Sequence, residues 1–331
     1  MSVEEVVQRI KEDCWNEKSL LVVSGSGVSV SSGLSTFGGG FYERAKKRYK
    51  LKDGMDLFRW QFYVKEPFLC TQFLGQMCEQ VLKCKPNTTH QAIAKLEDTS
   101  ILLRHYTLNI DGLHALAGAS TWDATNSNSG ATVELHGSLR EIVCTHTGNI
   151  YAVDEAALNR IKRKKLPKVD NDTPIRTLDL QARRSRKRHL ISDSVYDNDA
   201  ESEQHPSRYR FRVLLYDDEE DECVLDSSGA LALLDSDAAR ARIVLWLGIS
   251  FQQSASCEYL RRVAACTPAN TLHLIVNPST DAAFNAMSAI NFQDVNIHAV
   301  HAPSDDLFTA LMPTIQCASS SELSKGVATC I

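Results

Sequence analysis

The sequence predicts an α/β fold: a doubly wound parallel sheet with a small inserted module. First, short apolar runs alternate with helical patterns near both ends of the chain. Second, the first apolar run, "SLLVVSGSG", leads straight into a glycine-rich turn, which is how nucleotide-binding α/β domains usually begin. Third, the apolar periodicity fades from about residue 154 to residue 222 and blocks of charge replace it. Such a stretch is typical of a polar insert.

The elements follow from periodicity and from capping signals. A helix is predicted over residues 2–13, where Val3, Val6, Val7 and Ile10 recur at helical spacing after a serine that can cap it. Further helices are predicted at "HQAIAKLED", "SCEYLRRVAAC" and "SDDLFTALM". The predicted buried strands are "SLLVVS", "ILLRHYTLNI", "ATVELHG", "ARIVLWLGIS", "TLHLIVNPS" and "VNIHAVHA". The predicted division is 1–143 and 223–313 for the sheet domain, 144–222 for the module and 314–331 for a weakly ordered tail.

Composition excludes few functions. The chain has 331 residues, 43% of them hydrophobic and 23% charged, and its formal net charge of −5 decides nothing about partners. We expect no secretory leader and no membrane contact, because the apolar runs are too short to cross a bilayer. The ten cysteines form no C-x-x-C pair, which favours reduced, buried thiols in an intracellular protein.

The segment "SGSGVSVSSG" places Gly25, Ser26 and Gly27 directly after the first buried strand. Small residues there let phosphate groups approach the backbone N–H groups. Val30 occupies the third glycine position of G-x-G-x-x-G, so a nicotinamide dehydrogenase is disfavoured. A plain structural turn remains the alternative interpretation.

Polar residues also follow four of the other predicted strands. Asn109 and Asp111 end one strand, His136 ends the next and is followed by a glycine, and two late strands end at Gly248-Ile249-Ser250 and at Asn277. Each alone suits a turn, a cap or a structural histidine. Because the carboxyl ends of parallel strands open on one crevice, we expect these residues to lie near a ligand. There His136 could act as a general base.

In this order the motifs resemble the sirtuin family of NAD-dependent protein-lysine deacylases, over about residues 5–312. The family's G-A-G-x-S-x-x-S-G-I-P-D-F-R-G is similar to "GSGVSVSSGLSTFGG", its Q-N-I-D-x-L-H to "LNIDGLH" and its L-H-G to Leu135-His136-Gly137. Its G-T-S, I-N and G-D-x-x-x-x-L are similar to Gly248-Ile249-Ser250, Val276-Asn277 and "APSDDLFTAL". "GISFQQSASCEYLRRVAA" resembles most the fungal, nuclear, histone-directed branch.

The resemblance implies a Rossmann-like fold, NAD as co-substrate and an acyl-lysine protein as substrate. Asn109 and Asp111 would hold the nicotinamide ribose and carboxamide, and His136 would be the catalytic base that activates a ribose hydroxyl. The peptide would lie extended between the two domains. The cofactor-binding residues implied are Gly25, Ser26, Gly27, Ser29, Phe37, Leu108, Asn109, Ile110, Asp111, Gly248, Ile249, Ser250, Asn277 and Ser304.

The chain departs from the family pattern in three places. The P-D-F-R segment reads Ser35-Thr36-Phe37-Gly38, without the Asp and the Arg. The two C-x-x-C pairs of a structural zinc site are reduced to Cys144 beside His146, so we expect no zinc. The C-terminal G-D has become Ala302-Pro303, which removes a backbone N–H. A sirtuin-fold pseudoenzyme that binds NAD, ADP-ribose or a protein partner is therefore the alternative hypothesis.

Two basic blocks, 160–168 and 183–189, allow two interpretations. They form either a solvated insert or a nuclear-import or nucleic-acid-binding segment. The resemblance to the nuclear branch favours the nucleus over the cytoplasm, and histone over other acyl-lysine proteins.

Overall fold

The structure, a computed structural model, describes residues 1–15, 17–36, 40–124, 130–165, 167, 173–178, 180, 209–290 and 295–327. A six-stranded parallel sheet forms its centre. Its strands are β1 (Leu20–Ser24), β2 (Leu102–Thr107), β3 (Thr132–Glu134), β8 (Ile243–Leu247), β9 (Leu272–Val276) and β10 (Asn296–Val300). They lie in the order β10-β9-β8-β1-β2-β3. The predicted doubly wound parallel sheet is thus confirmed.

The strand order reverses between β1 and β8, which are adjacent although more than two hundred residues separate them along the chain. The chain builds outward from β1 to β3 on one side and from β8 to β10 on the other. In such sheets, ligands bind in the crevice beyond the carboxyl ends of the two strands at the reversal. The topology therefore directs attention to the turns after Ser24 and Leu247.

Both faces of this sheet are buried, which explains why its strands are continuous apolar runs. In β1, Leu20 and Val22 face one core, and Leu21 and Val23 face the other. The first core is covered by α1 (Val3–Cys14), α5 (Thr88–Leu96) and α11 (Ser304–Val327). The second is covered by α8 (Ser227–Ala238), α9 (Ser254–Cys266) and α10 (Thr280–Ala289). A short helix, α6 (Leu113–Leu116), follows β2.

A second sheet forms the small module. Its strands are β4 (Gly137–Cys144), β5 (Asn149–Ala152), β6 (Arg176–Thr177) and β7 (Tyr209–Val213), in the order β6-β5-β4-β7 with antiparallel pairs. Helix α7 (Glu155–Lys162) and the helices α2 (Gly40–Tyr49), α3 (Trp60–Lys65) and α4 (Pro67–Val81) accompany it. Phe73 and Leu74 of α4 share an apolar core with Leu139 of β4, Ile161 of α7 and Phe211 of β7.

Two predicted boundaries are wrong. The module begins at Gly137 rather than at residue 144, and it also includes the helices between residues 40 and 81, which the prediction left in the sheet domain. These helices bury their apolar faces against β4 and β7, a contact that periodicity cannot reveal. The predicted tail from residue 314 is also wrong at its start. Helix α11 continues through Pro313, and Ile315 and Ala318 are buried in the core.

The structure describes part of one basic block and none of the other. The first, 160–168, contains the end of α7, where Lys162 pairs with Glu79 at 2.9 Å. The second, 183–189, lies outside the described residues. Among the helices described, none is both long and apolar enough to span a bilayer.

Candidate functional site

The turns after β1 and β8 touch each other at the reversal of the strand order. The backbone N–H of Gly25 donates to the Leu247 carbonyl at 2.9 Å, and that of Gly27 donates to the Gly248 carbonyl at 2.9 Å. A Cβ atom on Gly27 would lie 2.6 Å from the Gly248 oxygen, and Gly248 itself has a φ of +60°. Only glycine allows both the close approach and the left-handed backbone. The glycines therefore fix how the crevice opens.

Ser29 connects the two polar groups that follow β2. Its hydroxyl donates to Asp111 Oδ2 at 2.7 Å and accepts from Asn109 Nδ2 at 3.3 Å. Asn109 also donates to the Gly25 carbonyl at 3.1 Å, and Asp111 Oδ1 accepts the backbone N–H of Leu113 at 2.9 Å. Both side chains are more than nine-tenths buried. The amide donors are thus engaged within the protein, while each carboxylate oxygen keeps a lone pair for a further donor.

His136 lies at the junction of the two sheets, between the last residues of β3 and the first of β4. Gly137 has a φ of +81°, and a Cβ there would lie 2.0 Å from the Arg212 carbonyl, so a glycine is required where the chain turns. His136 Nδ1 lies 3.1 Å from the Leu108 carbonyl oxygen. A carbonyl only accepts, so Nδ1 carries the proton and Nε2 carries the lone pair.

Burial lowers the pKa of His136 below its usual range, and the hydrogen bond to Leu108 opposes this only in part. At neutral pH the imidazole is therefore the neutral form, with its basic Nε2 available. This is the protonation state that a general base requires.

A cavity of about 230 Å³ unites these groups. The predicted site residues that line it are Gly25, Ser26, Ser29, Leu108, Asn109, Ile110, Asp111, His136, Gly248, Ile249 and Ser250. They follow the carboxyl ends of β1, β2, β3 and β8, where ligands bind in parallel sheets of this type. The structure thus brings most of the predicted residues to one place.

The other predicted cofactor residues lie outside the lining of this cavity or outside the described residues. Gly27 packs against Gly248, and Asn277 donates to the Ile249 carbonyl at 3.1 Å, which braces the turn after β8. Ser304, at the start of α11, accepts a hydrogen bond from the Thr89 hydroxyl. Their roles toward a ligand stay predictions. Phe37 lies outside the described residues.

Sequence reasoning missed the module's contribution to the cavity. The lining includes Met77, Gln80 and Val81 of α4 and Phe58 from the segment before α3. It also includes Leu139 of β4 and the run 213–216, which ends β7 and continues beyond it. Gln253, Ala255 and Ser256 complete the lining from the start of α9. The available signal was weak: ten of the fifteen residues in the segment 67–81 are apolar or glycine, which fits a helix covered on several sides.

A cluster of three buried histidines beneath the cavity was also missed. The ring centroids of His90 and His114 lie 4.5 Å apart, and those of His105 and His114 lie 4.3 Å apart. Ser24 Oγ lies 2.9 Å from His105 Nε2 and 3.3 Å from His114 Nε2. Burial lowers the pKa of all three, to about 3 for His105. Neutral imidazoles linked by hydroxyl groups thus support the floor of the site.

The module offers no metal site in the part of the chain that the structure describes. Cys144 is buried at the end of β4, and Cys223 packs in an apolar cluster with Val143, Ile150 and Leu178. No group of three or more His, Cys, Asp or Glu side chains among the described residues is placed to hold a metal ion. The residues present do not fit the tetrahedral thiolate set that the sirtuin resemblance implies.

Ion pairs also support the module. Arg212 on β7 pairs with Glu134 of β3 and with Glu141 of β4, and Arg176 of β6 pairs with Glu141 at 2.5 Å. The side chains of Arg212 and Glu134 are 4% and 9% exposed. Because Glu134 belongs to the large sheet, this buried pair connects the module to β3, the strand that precedes His136.

Fold and site together define a Rossmann-like protein with a cavity at the strand-order reversal, and comparisons with known proteins agree. The model of the Sir2 family matches residues 25–181. NAD-dependent protein deacylase 1 of Archaeoglobus fulgidus is 32% identical over 165 residues, covering 49% of this chain and 59% of that protein. NAD-dependent histone deacetylase HST3 of Saccharomyces cerevisiae is 26% identical over 181 residues, covering 50% of this chain and 40% of that protein.

Among solved structures, a Sir2 homologue in complex with NAD superimposes with a TM-score of 0.60 at 20% identity, covering 96% of this chain and 94% of that one. This likeness shows the fold. Over residues 25–181 the chain is similar in sequence to the Sir2 family, and its fold is that of Sir2 homologues. Its matched part spans about half the length of the two curated relatives named above.

Proposed function

We propose that the protein is an NAD-dependent protein-lysine deacylase that acts on acetyl-lysine in histones or other nuclear proteins. One observation carries the proposal: Asn109, Asp111 and His136 line a single cavity at the strand-order reversal. An amide, a carboxylate and a neutral imidazole at this position suit the binding of a ribose and the transfer of its proton.

The cavity fits NAD by the chemistry of its donors and by its glycines. The turns after β1 and β8 are in close contact at Gly25 and Gly248, at the edge of the sheet where a pyrophosphate binds in folds of this type. The amide group of Asn109 donates to the Gly25 carbonyl and to Ser29 Oγ. Its Oδ1 can therefore accept a hydrogen bond from the ligand. When bound, NAD would supply a cleavable glycosidic bond to nicotinamide and an electrophilic ribose carbon.

In this proposal His136 takes a proton from a ribose hydroxyl at Nε2. The Leu108 carbonyl fixes the Nδ1–H tautomer, so the accepting nitrogen does not have to be selected during turnover. Asp111, oriented by Ser29 and by the Leu113 N–H, accepts a hydrogen bond from the ligand. The apolar walls, including Leu108, Ile110 and Leu139, exclude water from the developing positive charge.

The substrate groove would lie between two segments that reach the cavity from different domains. Leu214, Leu215 and Tyr216 follow β7 of the module, and Gln253 and Ala255 begin α9 of the sheet domain. An extended peptide between them would place its acyl-lysine toward His136.

Two observations support a nuclear, histone-directed role. The relatives include HST3 of Saccharomyces cerevisiae and the NAD-dependent protein deacetylase hst4 of Emericella nidulans, which is 28% identical over 160 residues. The basic blocks 160–168 and 183–189 suit nuclear import or contact with nucleic-acid phosphates.

A catalytically weakened binder is the second candidate. The segment 35–38 has neither the Asp nor the Arg of the sirtuin loop, and Ser35 lines the cavity. Such a protein would bind NAD or ADP-ribose and become more heat-stable without turnover.

The test is nicotinamide release from NAD, measured with and without an acetylated histone peptide. The deacylase hypothesis expects release only with the peptide, and a loss of about 10²-fold or more in His136→Ala. His298→Ala, at an exposed position on β10, is the matched control. Ligand-induced stabilisation without peptide-dependent release would instead establish the binder.

A further inference from the structure

The basic nitrogen of His136 already has a partner within the protein. Tyr259 on α9 places its hydroxyl oxygen 3.4 Å from His136 Nε2, and the two ring centroids lie 5.8 Å apart. Tyr259 lies in the middle of a helix, away from the strand ends at which ligand-binding residues are expected.

The direction of this hydrogen bond follows from the other protons. Nδ1 of His136 already donates to the Leu108 carbonyl, so Nε2 can only accept. Burial raises the pKa of Tyr259 to about 12, hence the phenol keeps its proton at working pH. The hydroxyl of Tyr259 therefore donates to the lone pair of Nε2.

Tyr259 also borders a second cavity. It lines a second chamber of about 140 Å³, whereas His136 lines the first, and Leu214 borders both. The phenol thus has adjoining space into which it can move when another hydroxyl group approaches Nε2. The bond of 3.4 Å is long for an O–H donor, which makes such an exchange inexpensive in free energy.

We propose that Tyr259 is a positioning residue of the candidate site: its hydroxyl holds the His136 imidazole in the neutral, Nδ1-protonated form until a substrate hydroxyl replaces it at Nε2. The catalytic consequence rests on the proposed deacylase function, whereas the hydrogen bond itself does not. During turnover the ribose O–H bond breaks as the Nε2–H bond forms, and the phenol neither gains nor loses a proton.

The sign of the effect on His136 is fixed. A hydrogen bond donated to Nε2 stabilises the neutral imidazole and lowers its proton affinity. Removing it should raise the pKa of His136 by no more than about half a pH unit, because the bond is long.

The charged groups nearby are the same with and without the phenol hydroxyl. Arg262 lies on the same helix, and Tyr216 faces Tyr259 from the segment after β7. Across the second chamber stand the acidic and basic side chains of Asp123, Glu134, Arg176, Arg212 and Asp226. Replacing Tyr259 with Phe leaves all of these in place, so a shift at His136 reports the lost hydroxyl.

The primary test is NMR titration of the ¹⁵N-labelled His136 imidazole, identified by the resonance missing in His136→Gln. In Tyr259→Phe the pKa of His136 should rise, and Nδ1 should remain the protonated nitrogen of the neutral ring. Fluorinated tyrosine at position 259, a stronger donor, should move the pKa in the opposite direction. Tyr151→Phe, which deletes a phenol hydroxyl in β5 near Asn149, should not change it. Unchanged titration in both Tyr259 variants would overturn the proposal.

The second measurement is the pH profile of peptide-dependent nicotinamide release. The acid limb of kcat should move to higher pH in Tyr259→Phe and to lower pH with fluorotyrosine, with KM for the peptide unchanged. A profile that does not follow the titration would overturn the positioning role in turnover. Absence of release in the wild type would contradict the proposed function alone, since the titration still reports the hydrogen bond.

Discussion

The hydroxyl of Ser29 donates to the carboxylate of Asp111 at 2.7 Å, although 82 residues separate them along the chain. The same oxygen accepts a hydrogen bond from Asn109. A serine in the turn after β1 therefore orients both polar groups that follow β2. The geometry of the site depends on this connection as much as on the groups that would face a ligand.

Ser29→Ala should reduce the free energy of unfolding by about 1–3 kcal/mol, because buried partners lose hydrogen bonds. It should also weaken NAD binding by loosening Asp111. Chemical denaturation and calorimetric titration with NAD measure the two effects. Ser228→Ala on α8, an exposed position, is the control; an equal effect in both variants would contradict the role of Ser29.

Gly248→Ala should destabilise the protein more than Gly118→Ala. Both glycines have positive φ, +60° and +99°, but a Cβ on Gly248 would lie 2.5 Å from the Val28 nitrogen, whereas Gly118 has nothing within 4 Å. The difference in destabilisation between the two variants measures the steric crowding at Gly248, which should cost about 1–3 kcal/mol. Denaturant midpoints measure it, and equal midpoints would show that the two turns are not held in contact.

Arg212→Met should cost about 3–5 kcal/mol, since it leaves the carboxylates of Glu134 and Glu141 buried without this partner. Arg242→Met removes an exposed pair with Glu17, whose side chains are 54% and 55% exposed, and should cost less than about 1 kcal/mol. Urea unfolding of the two variants provides the comparison. Costs of similar size would mean that the buried pair does not connect the two sheets.

His105 should make the protein less stable as the pH falls. Burial holds the pKa of His105 at about 3 in the folded protein, against an ordinary value of 6.5. Below pH 6.5 the unfolded chain takes up a proton that the folded one does not, so stability falls by up to about 1.4 kcal/mol per pH unit until the folded pKa is reached. Unfolding free energies at pH 7 and pH 5 should differ by about 2 kcal/mol less in His105→Asn. An unchanged difference in His105→Asn would contradict the lowered pKa of His105.

Removing metal ions should leave the protein folded. Cys144, which the sirtuin resemblance links to zinc, is buried at the end of β4, and Val143 beside it packs in an apolar cluster. The thermal midpoint should be the same with and without a strong chelator, and mass spectrometry should find no stoichiometric zinc. One zinc per chain, lost together with the fold on chelation, would overturn this expectation.

Much of the architecture could be predicted because it rests on local patterns. Runs such as Ile243–Leu247 are apolar at every position, and only a strand covered on both faces needs that. The polar residues after those strands, including Asn109 and Asp111, could be assigned to one edge because all parallel strands end there.

The module and its contacts could not be predicted in the same way. The helices between residues 40 and 81 join β4 and β7 only through packing in three dimensions. Likewise, nothing in the sequence distinguishes Tyr259 from other helix residues. Its position beside His136 depends on how α9 packs against the sheet.

The sequence by itself determined the parallel sheet, the resemblance to the sirtuins and the set of polar groups at the strand ends, since these depend on periodicity and on short motifs. Only the tertiary structure decided where the module begins, which hydroxyl groups orient Asp111 and His136, and that buried ion pairs link the two sheets. Those features join residues far apart along the chain, and hydrogen bonds at such separations leave no periodic trace in the sequence.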